Sequence, residues 1–157
     1  MCIRDRSFHC EDCSAHHFAE TVYQTHQVII LPPVEFIKEF PDEDVTIHID
    51  RMRLTQVITN FLGNAKKFTS QGHIKLGYFC DKEKKEIHIF VEDTGAGIPK
   101  EELQMIFERF YKRNEFVQGV GLGLAISKVI VEKMNGHIDV QSEVNKGSRF
   151  TAVLPYL

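Results

Sequence analysis

Apolar positions along this chain switch between the period of a strand and the period of a helix. Val45, Ile47 and Ile49 alternate with polar neighbours, which predicts a half-buried strand. Directly behind them, Leu54, Val57, Ile58, Phe61, Leu62 and Ala65 recur at i, i+3 and i+4. That spacing predicts a strong amphipathic helix, with Asp50 where an N-cap belongs. Ile74, Leu76 and Tyr78 alternate after Gly72, and Ile87, Ile89 and Val91 alternate before Glu92-Asp93. The charged run Asp81-Lys82-Glu83-Lys84-Lys85 between them reads as a solvated turn.

The flanks are less regular. Phe18 and Val22 predict a short helix from about Cys13 to His26, ended by Pro32-Pro33. Val34, Phe36 and Phe40 predict a strand, and Pro41-Asp42-Glu43-Asp44 a hairpin turn into Val45–Ile49. Pro99 opens a short helix. Tyr111 to Gln118 shows no period and is expected to be a loop. A second helix is expected from about Leu122 to Met134, with Leu122, Ile126, Val129 and Ile130 inward and Asn135-Gly136 as its stop. Two strands, near His137–Val140 and Phe150–Leu154, close the chain around a turn at Asn145-Lys146-Gly147. Strands and helices mix without regular βαβ alternation. The expected class is α/β: a two-layer sandwich of a mixed sheet with helices packed on one face, leaving an open site between the layers.

Composition narrows the function classes. A chain of 157 residues is one domain able to bury a real core. A formal net charge of −3 gives no sign of a nucleic-acid partner. No apolar run approaches the roughly 18 residues of a membrane span. Four cysteines, Cys2, Cys10, Cys13 and Cys80, are too few and too uneven for a disulfide framework, so a reducing, cytoplasmic setting is expected. The leader MCIRDRS, residues 1–7, fits no element and is expected to be foreign to the fold.

Three polar and glycine motifs carry the candidate chemistry. In NFLGNAKKFT, residues 60–69, a turn of about 100° per residue puts Asn60, Asn64 and Lys67 on one stripe bordering the apolar face. Amide oxygens are acceptable hard ligands for Mg²⁺, and an ammonium suits a polyphosphate; the same residues also serve simply as the polar side of a helix. In DTGAGIP, residues 93–99, Asp93 ends an apolar strand and enters a Gly-x-Gly turn. Its carboxylate can accept from an exocyclic amine such as that of adenine. Two other readings stand beside that one: a tight strand-to-helix turn, and the Asp-Thr-Gly arrangement of dimeric aspartic proteases. In GVGLGLAIS, residues 119–127, Gly119, Gly121 and Gly123 precede a helix whose free N–H groups favour anions. Leu124 stands where a dinucleotide fingerprint needs glycine, and the Lys-Ser/Thr of a P-loop is absent. The spacing of Asp139 from Gly119 is coincidence. Between the last two motifs, IFERFYKR combines Phe107 and Phe110 with Arg109, Lys112 and Arg113, apolar anchors beside cations that can reach phosphates. Near the N-terminus Cys10, Cys13, His16 and His17 have metal-like spacing, but no second pair follows.

In this order the motifs resemble the ATP-binding catalytic domain of sensor histidine kinases, from about Asp42 to the C-terminus. The resemblance implies a Bergerat-type ATP-binding fold using ATP and Mg²⁺. It implies that Asn60 and Asn64 hold Mg²⁺, that Lys67 contacts phosphate and that Phe68 lies near the base. Asp93 matches the adenine-binding aspartate, with Gly95, Gly97 and Ile98 as companions. Phe107 and Phe110 match the family's phenylalanine motif, with Lys112 beside them. Gly119, Gly121 and Gly123 match the lid glycines, with Val120, Leu122 and Leu124 among them. Gly147-Ser148-Arg149-Phe150 resembles the closing turn into the last strand. Asn60, Asn64 and Lys67 would carry catalysis. Related ATPases place a glutamate where this chain has Asn60; an amide cannot act as that base, which favours phosphoryl transfer over hydrolysis.

Two departures bear on function. Val120 stands where the family usually has Thr. None of the eight histidines is followed by the acidic, basic and Pro residues of a phosphoacceptor. The expected organisation is therefore a foreign leader at 1–7, a linking helix at 8–33 from missing upstream dimerisation and phosphoacceptor helices, and a catalytic domain at 34–157. The implied partners are that upstream region and, indirectly, a response regulator, within a homodimeric parent; no nucleic acid and no direct membrane contact are expected. A non-catalytic nucleotide-binding regulatory module is the nearest rival reading.

Overall fold

The computed structural model describes residues 8–103, 105–107 and 120–157. In chain order the elements are β1 (Glu11–Ser14), α1 (Ala15–His26), β2 (Val34–Glu39), β3 (Thr46–Ile49), α2 (Arg51–Phe68), β4 (Gly72–Asp81) and β5 (Glu86–Asp93). A 3-10 turn at Lys100–Glu102 follows, then α3 (Val120–Lys133), β6 (His137–Glu143) and β7 (Gly147–Pro155).

The regular patterns fold as they read. Asp50 caps α2, its carboxylate accepting from Arg53 N–H at 3.1 Å. The whole predicted stripe of α2, from Leu54 to Ala65, is buried. β4, β5, β7 and β6 form an antiparallel run, and β2 adds in parallel to β4, giving the order β2-β4-β5-β7-β6. Strand alternation then divides the sheet. Ile74, Leu76, Tyr78, Ile87, Ile89, Val91, Phe150 and Ala152 join α2 and α3 in one hydrophobic core. Phe79, His88, Phe90, Glu92 and Arg149 lie on the other face, where the Arg149 guanidinium sits 4.0 Å from the Phe90 ring centroid. The expected α/β sandwich is the fold.

Three expectations are corrected. Residues 41–44 are not a hairpin turn: β2 pairs with β4, whereas β3 pairs with β1 in a separate two-stranded sheet. α1 packs on β2 here, the Tyr23 ring stacking on Phe36 at 4.6 Å and its hydroxyl donating to Phe36 O at 3.2 Å. β1 is an addition to the expected elements. It has no alternating pattern, and its pairing comes from the β3 backbone and from Asp44, which accepts from Ser14 Oγ–H at 2.5 Å and His16 N–H at 3.0 Å. On α3 the buried face is Leu124, Ser127, Ile130, Val131 and Met134, while Val129 is 43% exposed. That helix is apolar nearly all round, so its period does not select a face. Its end is as expected: Asn135 takes φ 66° and Gly136 N–H returns to Val131 O at 3.0 Å.

Residues 8–33 share the core, contributing Ala15, Phe18, Ala19, Val22 and Ile30. No helix among the described residues is long and apolar enough to cross a membrane. Phe61 is fully buried against Phe150, ring centroids 5.4 Å apart. Phe61→Ala is therefore expected to cost about 3–5 kcal/mol. Urea unfolding should show this as a lower midpoint with unchanged slope.

Candidate nucleotide-binding site

Asp93 ends β5 on the core face, opposite Ser148 of β7, and is 7% exposed. Burial raises its pKa above the ordinary carboxylate range. The N–H groups of Gly95 and Ser148 and the nearby Thr69 hydroxyl oppose that rise, and the charge of Glu92 adds to it. Glu92 points to the opposite face. Burial would raise it too, but Arg149, donating at 2.8 Å, holds its pKa below the usual value. The neighbouring carboxylates are thus separated by the sheet, Glu92 paired with a cation and Asp93 held by neutral donors.

The turn after Asp93 is closely held. Gly95 N–H donates to Asp93 Oδ1 at 2.8 Å. A Cβ at Gly95 would collide with Phe68 O, and Gly97, at φ 75°, passes against Glu143 O. Ala96 N–H donates to Phe68 O at 3.3 Å, and Ala96 O accepts from Asn145 N–H at 2.7 Å. The turn is therefore clamped between the C-terminal end of α2 and the β6–β7 turn. Thr69, 4% exposed, buries its hydroxyl beside Asp93, close enough to favour the carboxylate charge but without completing a hydrogen bond. A hydroxyl left open next to a buried carboxylate fits a polar, flat ligand edge.

On α2, Asn60 and Asn64 are half-buried and Lys67 is exposed. Asn60 Nδ2 donates to Gly123 O at 3.2 Å and to Ser127 Oγ at 3.1 Å, tying α2 to α3. With the amide nitrogen so used, the carbonyl oxygen is the Asn60 atom that could face a cation. The residues present fit Mg²⁺, since neutral amide oxygens are hard ligands on the stripe where a cation would meet phosphate.

The structure brings the three motifs together: α2 meets Gly123 through Asn60, and meets the Asp93 turn through Phe68 and Thr69. Phe68, Ile98 and Phe107 are part-buried against the core. Leu124 is buried in it, at 2% exposed. Gly121 and Gly123 do not precede α3, as expected, but lie in its first turn, since the helix already begins at Val120. Leu122 lies in the same turn. Phe110, Lys112 and Gly119, and the loop expected at Tyr111–Gln118, fall outside the described residues. Cys10, Cys13, His16 and His17 do not gather: Cys10 is exposed, Cys13 is buried, and His16 contacts the Tyr78 hydroxyl at 3.4 Å. Among the described residues, metal-ligating side chains gather only at Asp81, Glu86 and His88, on the far face. Sequence reasoning missed Thr69 and Ser142. Thr69 closes the first motif, but nothing local sets it apart from the other polar residues there; Ser142 carries no local signal.

A glycine turn with a buried carboxylate, set against an amide-bearing helix across a mixed sheet, defines the class of two-layer ATP-binding α/β domains. The family model described as histidine kinase-, DNA gyrase B-, and HSP90-like ATPase matches residues 49–157, and the chain belongs to that family. It is 34% identical over 158 residues to the sensor histidine kinase WalK of Bacillus subtilis, covering 98% of this chain and 26% of WalK. It is 44% identical over 110 residues to the sensor protein SrrB of Staphylococcus aureus, covering 68% of this chain and 19% of SrrB. The chain thus spans about a quarter or less of these curated relatives. Among solved structures it resembles full-length ShkA in complex with AMPPNP, at TM-score 0.82 and 28% identity over 96% of this chain and 31% of that one. It also resembles the nucleotide-free catalytic domain of histidine kinase ThkA, at TM-score 0.81 and 28% identity over 94% and 95% of the two chains.

Proposed function

We propose that this chain is the catalytic ATP-binding domain of a two-component sensor histidine kinase, and that it positions Mg²⁺·ATP for γ-phosphoryl transfer to a histidine on an upstream region. The observation that carries the reading is the convergence of Asn60, Gly123, Asp93 and Thr69 on one site between helices and sheet, together with the ATP analogue bound by the similar ShkA. Asp93 accepts from the adenine amine, and Gly95 and Gly97 let the backbone approach the base. Asn60 and Asn64 would hold Mg²⁺, whose charge offsets that of the phosphates. Lys67 steadies the phosphates, with Lys112 and the Gly119–Gly123 segment beyond it. The acceptor imidazole supplies the nucleophile, so this domain contributes positioning and charge neutralisation rather than a base. The partners are the phosphoacceptor and dimerisation helices of a homodimeric parent, and a response regulator downstream. The setting is cytoplasmic. The aspartic protease reading uses only residues 93–96 and leaves the Asn60–Gly123 contact without purpose.

With γ-labelled ATP, the chain alone is expected to take up no label. Mixed with its parent's acceptor domain, it should yield an acid-labile phosphohistidine on that domain. ATP binding without transfer, even to the cognate acceptor, would overturn this reading in favour of a regulatory module.

A further inference from the structure

Ser142 sits in β6, outside the three motifs. Its Oγ makes three hydrogen bonds to two other segments: Ile98 N–H donates to it at 2.7 Å, it donates to Gly147 O at 3.1 Å, and it shares a 2.7 Å hydrogen bond with Ser148 Oγ. A hydroxyl has one proton and two acceptor sites. Donation to Gly147 O uses the proton, so the Ile98 N–H and the Ser148 O–H must both be received. In that arrangement the Ser148 proton points toward Ser142, and the 2.7 Å contact ties the two hydroxyls together whichever of them donates. Ser148 is in turn the cross-strand partner of Asp93, and its backbone N–H supports the Asp93 carboxylate. The Ser142 hydroxyl also anchors Ile98, the last residue of the turn before Pro99. Ser142 also borders two cavities, one of about 360 Å³ that reaches Glu92, Gln141 and Arg149 on the far face, the other of about 650 Å³ beside Ile98, Leu103 and Val140.

We propose that Ser142 is a positioning residue for nucleotide binding: through its hydroxyl it sets the Asp93–Ile98 turn and the Ser148 hydroxyl in the arrangement that receives the base. The inference rests on the ATP-binding reading. Ser142 touches no ligand itself. Without its hydroxyl, Ile98 N–H loses its partner while Ala96 keeps both of its own. The 98 end of the turn is then released and the 96 end held, so the base-recognising segment pivots rather than unfolds.

The test is Ser142→Ala and Ser142→Thr beside the parent chain, with Mg²⁺·ATP affinity by calorimetry and amide exchange across the chain. Ser142→Ala should weaken ATP about tenfold, the loss of roughly one hydrogen bond. Exchange should accelerate at Gly97 and Ile98 while Ala96 and the amides of α2 and β5 keep their protection. Ser142→Thr, which retains the hydroxyl, should restore both. Unchanged affinity in Ser142→Ala, or protection lost across the core without rescue by Thr, overturns the proposal. Failure of the parent chain to bind ATP overturns the functional reading instead.

Discussion

Asp93→Asn is expected to weaken Mg²⁺·ATP binding by about 10–100-fold without lowering the stability of the domain. The affinity loss follows from replacing a charge-assisted acceptor, worth about 1.5–3 kcal/mol, with a neutral amide. The stability result follows from the raised pKa of Asp93. Its folded-state pKa lies above its unfolded value, so the fold favours the protonated form. The stability associated with this group is full below the ordinary carboxylate range and is lost as pH rises through the folded pKa. At neutral pH the ionised Asp93 is a cost to folding. The Asp93→Asn substitution removes that charge and still offers an oxygen to Gly95 N–H. Thermal unfolding at neutral pH should therefore show the variant at least as stable as the parent, while calorimetry shows the weaker ATP. ATP affinity of the parent should also fall on acidification, beginning at a higher pH than an ordinary aspartate would give. Equal ATP affinity in the two proteins would remove Asp93 from base recognition.

Asn64→Ala should lower the rate of phosphoryl transfer to the cognate acceptor by at least about a hundredfold, as loss of a metal ligand in a charge-neutralising site does. Asn64 is half-buried on α2, one turn from Asn60, and the apolar stripe of that helix does not include it. The fold should persist. Binding of ADP without Mg²⁺ should stay within about threefold of the parent, since the Asp93 turn is untouched. Transfer assays and calorimetry on the same preparation separate these effects. Retained transfer would place the cation elsewhere.

Much of the site is legible in the sequence because its residues are local. The Asn60–Asn64–Lys67 stripe needs only helical spacing, and the exit of β5 into Gly95 and Gly97 needs only a turn. Their roles come from resemblance rather than from spacing. Contacts between segments are not legible. Thr69 stands out only because folding buries its hydroxyl beside Asp93, and Ser142 only because β6 brings it under Ile98. Helix α3 starts at Val120, two residues before the pattern suggests, because glycines are poor helix formers and read as a preceding loop.

By itself the sequence determined the elements whose hydrophobic period is clean: α2 with its Asp50 cap, the β4–β5 and β6–β7 pairs with their turns, and the left-handed stop at Asn135. Each depends on neighbours a few residues away, and local propensity and burial there agree. Only the tertiary structure decided the strand partners of β2 and β3, the pairing of β1, the buried face of α3 and the charge environment of Asp93. Those depend on which surface arrives opposite. β2 pairs with β4 rather than with the strand next to it in the chain, and β1 has no pattern until β3 offers its edge. A carboxylate at the end of a strand is ordinary until folding takes it out of water.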